Sequence, residues 1–180
     1  MKVLVAFGTS EGQTRKIAKN IVDKIREHGD EAELYDCGRR PRGQDVEDFD
    51  AFIVAGSVHQ KLHQEEVVAY ATAHRQQLKE KPSAFVSVSL SAGFKDGHQD
   101  AQEYIELFTE ATGWQPSQVH MAGGALKLSE YDFFKEQIIR HVVMAGRDLP
   151  PGQKDYEFTD WAALDAFVDE FLNKARALGA

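Results

Sequence analysis

The residues best placed to do chemistry lie near the amino terminus, where Gly8-Thr9-Ser10-Glu11-Gly12-Gln13-Thr14 joins a short apolar run to a longer amphipathic one. Where a strand passes into a helix, the first-turn N–H groups lack intrahelical partners and the helix dipole leaves them positive, so an anion is favoured there. Three hydroxyls, on Thr9, Ser10 and Thr14, flank those amides, and the loop holds neither lysine nor arginine. This composition points to capture of a phosphate monoester by neutral donors. The triphosphate loop Gly-x-x-x-x-Gly-Lys-Ser/Thr is excluded because Gln13 stands where lysine is required, and Gly-x-Gly-x-x-Gly because Gly8 and Gly12 have the wrong spacing. The alternative is a well-capped helix with no ligand.

Other reactive residue types are scattered. His59 and His63 lie four apart, a spacing that gathers metal ligands only on a helix; this stretch reads as a loop leading into one, so both are expected as surface histidines. Asp36, Asp48 and Asp50 fall near strand ends or in loops and read as solvated caps. The single cysteine, Cys37, reads as a packing residue. No Ser/His/Asp order sits in a nucleophile-elbow context, which removes nucleophilic hydrolysis, and no residue is assigned as a catalytic acid or base.

A phosphate loop needs a strand before it and a helix after it, and the apolar pattern supplies both. Val3 to Phe7 is strand-like, and Ile17, Ile21 and Ile25 then recur at helical spacing up to Gly29. Ala32 to Tyr35 alternates as a second strand, and Ala51 to Ala55 is apolar throughout, as expected of a central parallel strand covered on both faces. A helix is expected from about Gln64 to Glu80, a fourth strand from Ala84 to Leu90, a helix from Ala101 to Thr112 stopped by Gly113, and a fifth strand from Val119 to Ala122. Helices over Tyr131 to Met144 and Trp161 to Ala177 follow, separated by a Pro/Gly/charged loop from Arg147 to Phe158. Thr159 is placed to cap the last helix, with Asp160 in its first turn. Strands alternating with helices imply an α/β fold, a parallel sheet with helices on both faces.

At 180 residues the chain is expected to be a single domain spanning 1–180. A net charge of -8 disfavours nucleic acid and anionic lipid as partners. One cysteine fits a reducing compartment. The start of the chain lacks the long apolar core of a signal peptide, and no run approaches the roughly 18 apolar residues of a spanning helix, so a cytoplasmic protein is expected. The stripe Phe134, Ile138, Ile139, Val142 and Val143 has the width of a core-facing helix; the alternative is transient contact with a membrane surface, at the inner face of the cell membrane.

The segment Thr9-Ser10-Glu11-Gly12-Gln13-Thr14 resembles the hydroxyl-rich FMN phosphate loop of flavodoxins. That resemblance implies a flavodoxin-like three-layer sandwich with a five-stranded parallel sheet of order 2-1-3-4-5 and FMN as cofactor. More narrowly, the chain is similar to the menaquinone-dependent protoporphyrinogen IX dehydrogenase branch of flavodoxin-like proteins through Gly12-Gln13-Thr14-Arg15, Pro82-Ser83-Ala84-Phe85, Ala122-Gly123-Gly124-Ala125-Leu126 and Tyr156-Glu157-Phe158-Thr159-Asp160-Trp161. It departs from that branch at Ser91 to Asp100, where an extended basic loop is replaced by one carrying Lys95 against Asp96 and Asp100.

In an open parallel sheet the ligand sits beyond the carboxyl ends of the strands, so the flavin ring is expected against Gly56-Ser57-Val58-His59 and against Ser89-Leu90-Ser91-Ala92-Gly93-Phe94. Of these, His59 and Phe94 could stack on it. The resemblance implies an FMN-dependent oxidoreductase acting between a porphyrinogen and a quinone, in haem biosynthesis. The alternative is an electron carrier docking on a redox protein partner, favoured by the acidic surface. A phosphoacceptor signalling domain would need acidic residues where Gly8 and Gly56 stand.

Overall fold

The computed structural model describes residues 1–39, 46–128 and 155–179. In chain order they form β1 (Lys2–Gly8), α1 (Gln13–Glu27), β2 (Glu31–Asp36), β3 (Ala51–His59), β4 (Leu62–His63), α2 (Glu65–Ala73) and α3 (Arg75–Glu80). There follow β5 (Ser83–Ser89), α4 (His98–Thr112), β6 (Gln118–Gly123), β7 (Ala125–Lys127), β8 (Asp155–Glu157) and α5 (Trp161–Gly179). The long strands run parallel in the order β2-β1-β3-β5-β6, which is the expected 2-1-3-4-5 when the short β4 is set aside.

Alternation along β1 builds two apolar layers from one strand. Val3, Val5 and Phe7 face Ile17, Ile21 and Ile25 of α1 together with Leu164, Val168 and Phe171 of α5. Leu4 and Ala6 face the opposite layer, with Phe52, Val54, Phe85, Val67, Phe108 and Trp114. Helices therefore cover both faces, and the central strands read as unbroken apolar runs because neither face meets water.

Several expectations need correction. The helix expected over residues 64–80 bends at His74, which leaves helical geometry at φ -104°, ψ 19°. Beyond the bend Leu78 is buried, and its carbonyl accepts the Ser83 hydroxyl. Strand β3 continues past Ala55 into a hairpin with β4, pairing Val58 with His63 and His59 with Leu62. Its turn residues, Gln60 and Lys61, both have positive φ, the geometry that suits a two-residue hairpin. Residues 155–157, expected in a loop, pair antiparallel with β7. At the start of α5 it is Asp160 that caps, accepting the Ala163 N–H at 3.0 Å, while the Thr159 hydroxyl donates to the Gly123 carbonyl at 2.6 Å. The helix expected over residues 131–144 lies outside the described residues.

His63, expected at the surface, is buried, because the hairpin turns it inward onto the stacked pair Phe85 and Phe108. Its Nε2 lies 2.9 Å from Ser87 Oγ, and burial pushes its pKa down to about 4. An unfolded histidine titrates near 6.5, so as pH falls below that value the unfolded chain takes up a proton that the folded chain refuses until about pH 4. Stability contributed by neutral His63 is thus complete above about pH 6.5 and is lost towards pH 4, by about 3 kcal/mol. Denaturant titrations across that range are expected to show this slope in the native chain and a correspondingly flatter one in His63→Gln; equal slopes would refute the assignment.

Candidate functional site

The carboxyl ends of β1, β3, β5 and β6 reach one edge of the sheet, where Gly8 pairs with Gly56, Gly56 with Ser87 and Ser89 with Gly123. At this edge α1 begins. Its N-cap is Gly12, in left-handed geometry at φ 88°, and no side chain caps the first turn. A side chain at that φ would be strained, so glycine is what permits the chain to turn directly from loop into helix. The Gly12 N–H donates to Thr9 Oγ1 at 2.9 Å, folding the loop on itself, and Gln64 Nε2 donates to Ser10 Oγ at 2.8 Å.

A cleft of about 350 Å³ opens over this helix start, within the size range of cofactor sites. The first loop contributes Thr9, Ser10, Glu11, Gln13 and Thr14; the end of β3 contributes Ser57, Val58 and His59; and the end of β5 contributes Ser89 and Leu90. Gly12 shapes the loop without lining the cleft, and Gly56 is buried within β3. Ser91, Ala92, Gly93 and Phe94 are not part of the lining. Ser91–Gly93 makes a turn of 3-10 helix, and Phe94 packs on Phe158 at 4.8 Å between ring centroids. Four lining residues were not singled out as site residues: Val88, Gly124, Ala125 and Leu126. The last three fall in the motif Ala122–Leu126, the one signal that could have found them.

Thr14 Oγ1 and Ser57 Oγ are buried without hydrogen-bond partners among the described residues, and both residues line the cleft. Buried hydroxyls are seldom left unpaired, since each orphan costs about 1–3 kcal/mol. A polar ligand entering the cleft would satisfy both. An uncapped helix start with hydroxyls around it fits a phosphate ester, and the apolar surfaces of Val58, Val88, Leu90 and Leu126 fit a planar ring, so the residues present suit a flavin mononucleotide.

The antiparallel pair β7–β8 lies beside the start of α1. Gln13 Nε2 donates to Thr159 Oγ1 at 2.8 Å, and Lys16 Nζ reaches Glu157 Oε2 at 2.5 Å. Burial alone would push the Glu157 carboxyl up, yet hydrogen bonds from Lys16, Trp161 and Gln13 bring it below the ordinary range. Lys127 Nζ lies 3.7 Å from where a Cβ on Gly12 would sit. The loop that holds no lysine of its own has one beside it, brought from 115 positions away by β7. The remaining candidates take structural places. Asp36 pairs with Arg15 at 2.8 Å, and Cys37 is buried, with its thiol pushed up to about 12 chiefly by burial. Among the described residues no group of three metal-ligating side chains comes together.

Residues 4–150 match the model of the flavodoxin domain family. The chain is 26% identical over 174 residues to the protoporphyrinogen IX dehydrogenase [quinone] of Escherichia coli strain K12, covering 96% of each chain. It is 25% identical over 175 residues to the protein of that name from Leishmania major, covering 94% of this chain and 74% of the other. Among solved structures, oxidised flavodoxin 1 from Bacillus cereus superposes with a TM-score of 0.58 at 15% identity, over 96% of this chain and 98% of that one.

The wall of the cleft depends on Gly123, where an added Cβ would lie 2.2 Å from the Phe158 carbonyl oxygen. That oxygen is backbone and cannot swing away. Gly123→Ala is expected to destabilise the fold by about 1–3 kcal/mol in denaturant titration, and an unchanged midpoint would show that the β7–β8 pair does not rest on this contact.

Proposed function

The chain belongs to the flavodoxin domain family, and on that footing we propose that it is an FMN-dependent oxidoreductase passing reducing equivalents from a porphyrinogen, protoporphyrinogen IX, to a quinone. The cofactor is FMN. The observation that carries the reading is the pair of buried hydroxyls with no partner among the described residues, Thr14 at the uncapped start of α1 and Ser57 at the end of β3, opening on one cleft. The names of the relatives support the choice of substrate and acceptor.

When bound, FMN supplies the redox chemistry, transfer of a hydride or of single electrons. The protein's residues hold and surround it. The α1 amides with the hydroxyls of Thr9, Ser10 and Thr14 take the phosphate, and Ser57, Val58, His59, Ser89 and Leu90 take the ring. Val58, Val88, Leu90 and Leu126 keep water from the ring, which strengthens every hydrogen bond made to it. With Phe94 turned onto Phe158, His59 alone of the two expected stacking residues stands at the cleft, an arrangement that suits a ring face open to a planar organic substrate.

The net charge of -8 favours a second reading, an electron carrier docking on a basic redox partner. A quinone would be met at a membrane surface by transient contact, since no described helix is long and apolar enough to cross a membrane.

The purified protein is expected to be yellow and to release FMN on heating, and Thr14→Val to weaken FMN binding about tenfold. Supplied anaerobically with protoporphyrinogen, it should reduce a quinone analogue faster than free FMN does. Failure to bind FMN in equilibrium titration would remove the whole reading. Binding with porphyrinogen turnover no faster than free FMN, but with salt-sensitive electron exchange with a reductase, would establish the carrier instead.

A further inference from the structure

We propose that Gln64 is a positioning residue for the cofactor's phosphate: by donating its amide to Ser10, it commits the Ser10 hydroxyl proton to the bound phosphate. The inference rests on the FMN reading above and adds to it a residue outside both the phosphate loop and the lining of the cleft. Gln64 Nε2 donates to Ser10 Oγ at 2.8 Å, across 54 positions of sequence. A serine oxygen that accepts a hydrogen bond still has one proton to give, and Ser10 lines the cleft together with Thr9 and Thr14. Ser10 is exposed, so without that tether its hydroxyl would turn freely among water partners. With it, the hydroxyl is oriented before the ligand arrives.

The surroundings of Gln64 hold its side chain in that place. Its backbone stands at the N-cap of α2, where its carbonyl accepts the Val67 and Val68 N–H groups at 3.1 Å, and the residue before it, His63, is fixed against Phe85 and Phe108. The side chain lies along the end of β1, where Gly8 makes room for it: a Cβ there would stand 2.9 Å from Gln64 Oε1 and 2.3 Å from Val67 Cγ2. Oε1 is buried and has no hydrogen-bond partner among the described residues. A leucine would fill much of the same space without that penalty, since a buried acceptor left unpaired destabilises a fold and an apolar group of similar shape does not. The amide is therefore a burden on stability where it stands, and the one hydrogen bond its side chain makes among the described residues is the bond to Ser10.

The test titrates FMN and riboflavin onto the apoprotein, read by quenching of flavin fluorescence, for the native chain, Gln64→Leu, Ser10→Ala and the double variant, with a denaturant titration of each. Gln64→Leu should weaken FMN about fivefold, leave riboflavin, which lacks the phosphate, unchanged, and leave the denaturation midpoint unchanged or raised. In the Ser10→Ala background the same substitution should have no further effect on FMN, because Gln64 acts through that hydroxyl. Gln64→Glu keeps the shape of the side chain and can only accept, so it draws the Ser10 proton away from the phosphate; its FMN loss should persist at high salt, where its charge is screened. An unchanged FMN affinity in Gln64→Leu overturns the proposal. So does an equal loss for both flavins, a full loss in the Ser10→Ala background, or native affinity of Gln64→Glu at high salt. A native chain that binds neither flavin overturns the FMN reading itself, and this inference with it.

Discussion

An α-helix that begins at a left-handed glycine begins with its first amides unanswered, and at α1 no side chain of the loop replaces the missing acceptor. The cost is tolerable at one place in this fold, the edge where the parallel strands all end in carboxyl-terminal loops. Gly12 makes the turn, Thr9 closes the loop on its own backbone, and Thr14 leaves a buried hydroxyl with no hydrogen-bond partner among the described residues. The rest of the edge is arranged around that unmet demand. The end of β3, where it enters its hairpin with β4, and the start of β7, paired with β8, both line one opening.

Those two strand pairs are fixed differently. The first is tied to the core: His63 leaves the cleft edge two residues after the turn and enters the aromatic stack of Phe85, Phe108 and Trp114, where Ser87 meets its ring nitrogen. The second is tied to α1 and β6 by polar contacts through Gln13, Thr159 and the Gly123 carbonyl. One wall thus inherits the stability of the packed layer, and the other that of a short hydrogen-bond relay.

The strands and the strand–loop–helix junction were legible because each rests on a local signal, unbroken apolar runs for β1, β3 and β5 and a helical period after Gly12, whereas the strand order came only from the resemblance to flavodoxins. What was not legible depends on contacts between distant residues. Gln60 and Lys61 carry none of the Asn-Gly chemistry that announces a two-residue turn, so β4 was invisible and His63 read as exposed. Residues 155–157 become a strand only because β7 lies beside them. Phe94 read as a ring neighbour from its position after β5, yet it packs on Phe158, a residue 64 positions further along the chain. Lys127 is missing from any reading of the phosphate loop as a sequence, since its proximity exists only in the folded chain.

The turn between β3 and β4 holds two consecutive non-glycine residues at φ 50° and 70°, a conformation that costs each of them roughly 1 kcal/mol or more. The pairings on either side and the burial of His63 oblige the chain to accept it. That leaves a reserve of stability unused at a position remote from the packed layers: a turn with the backbone freedom of Asn-Gly would recover it. The hairpin would then present His59 at the same height above the sheet, on a less strained support.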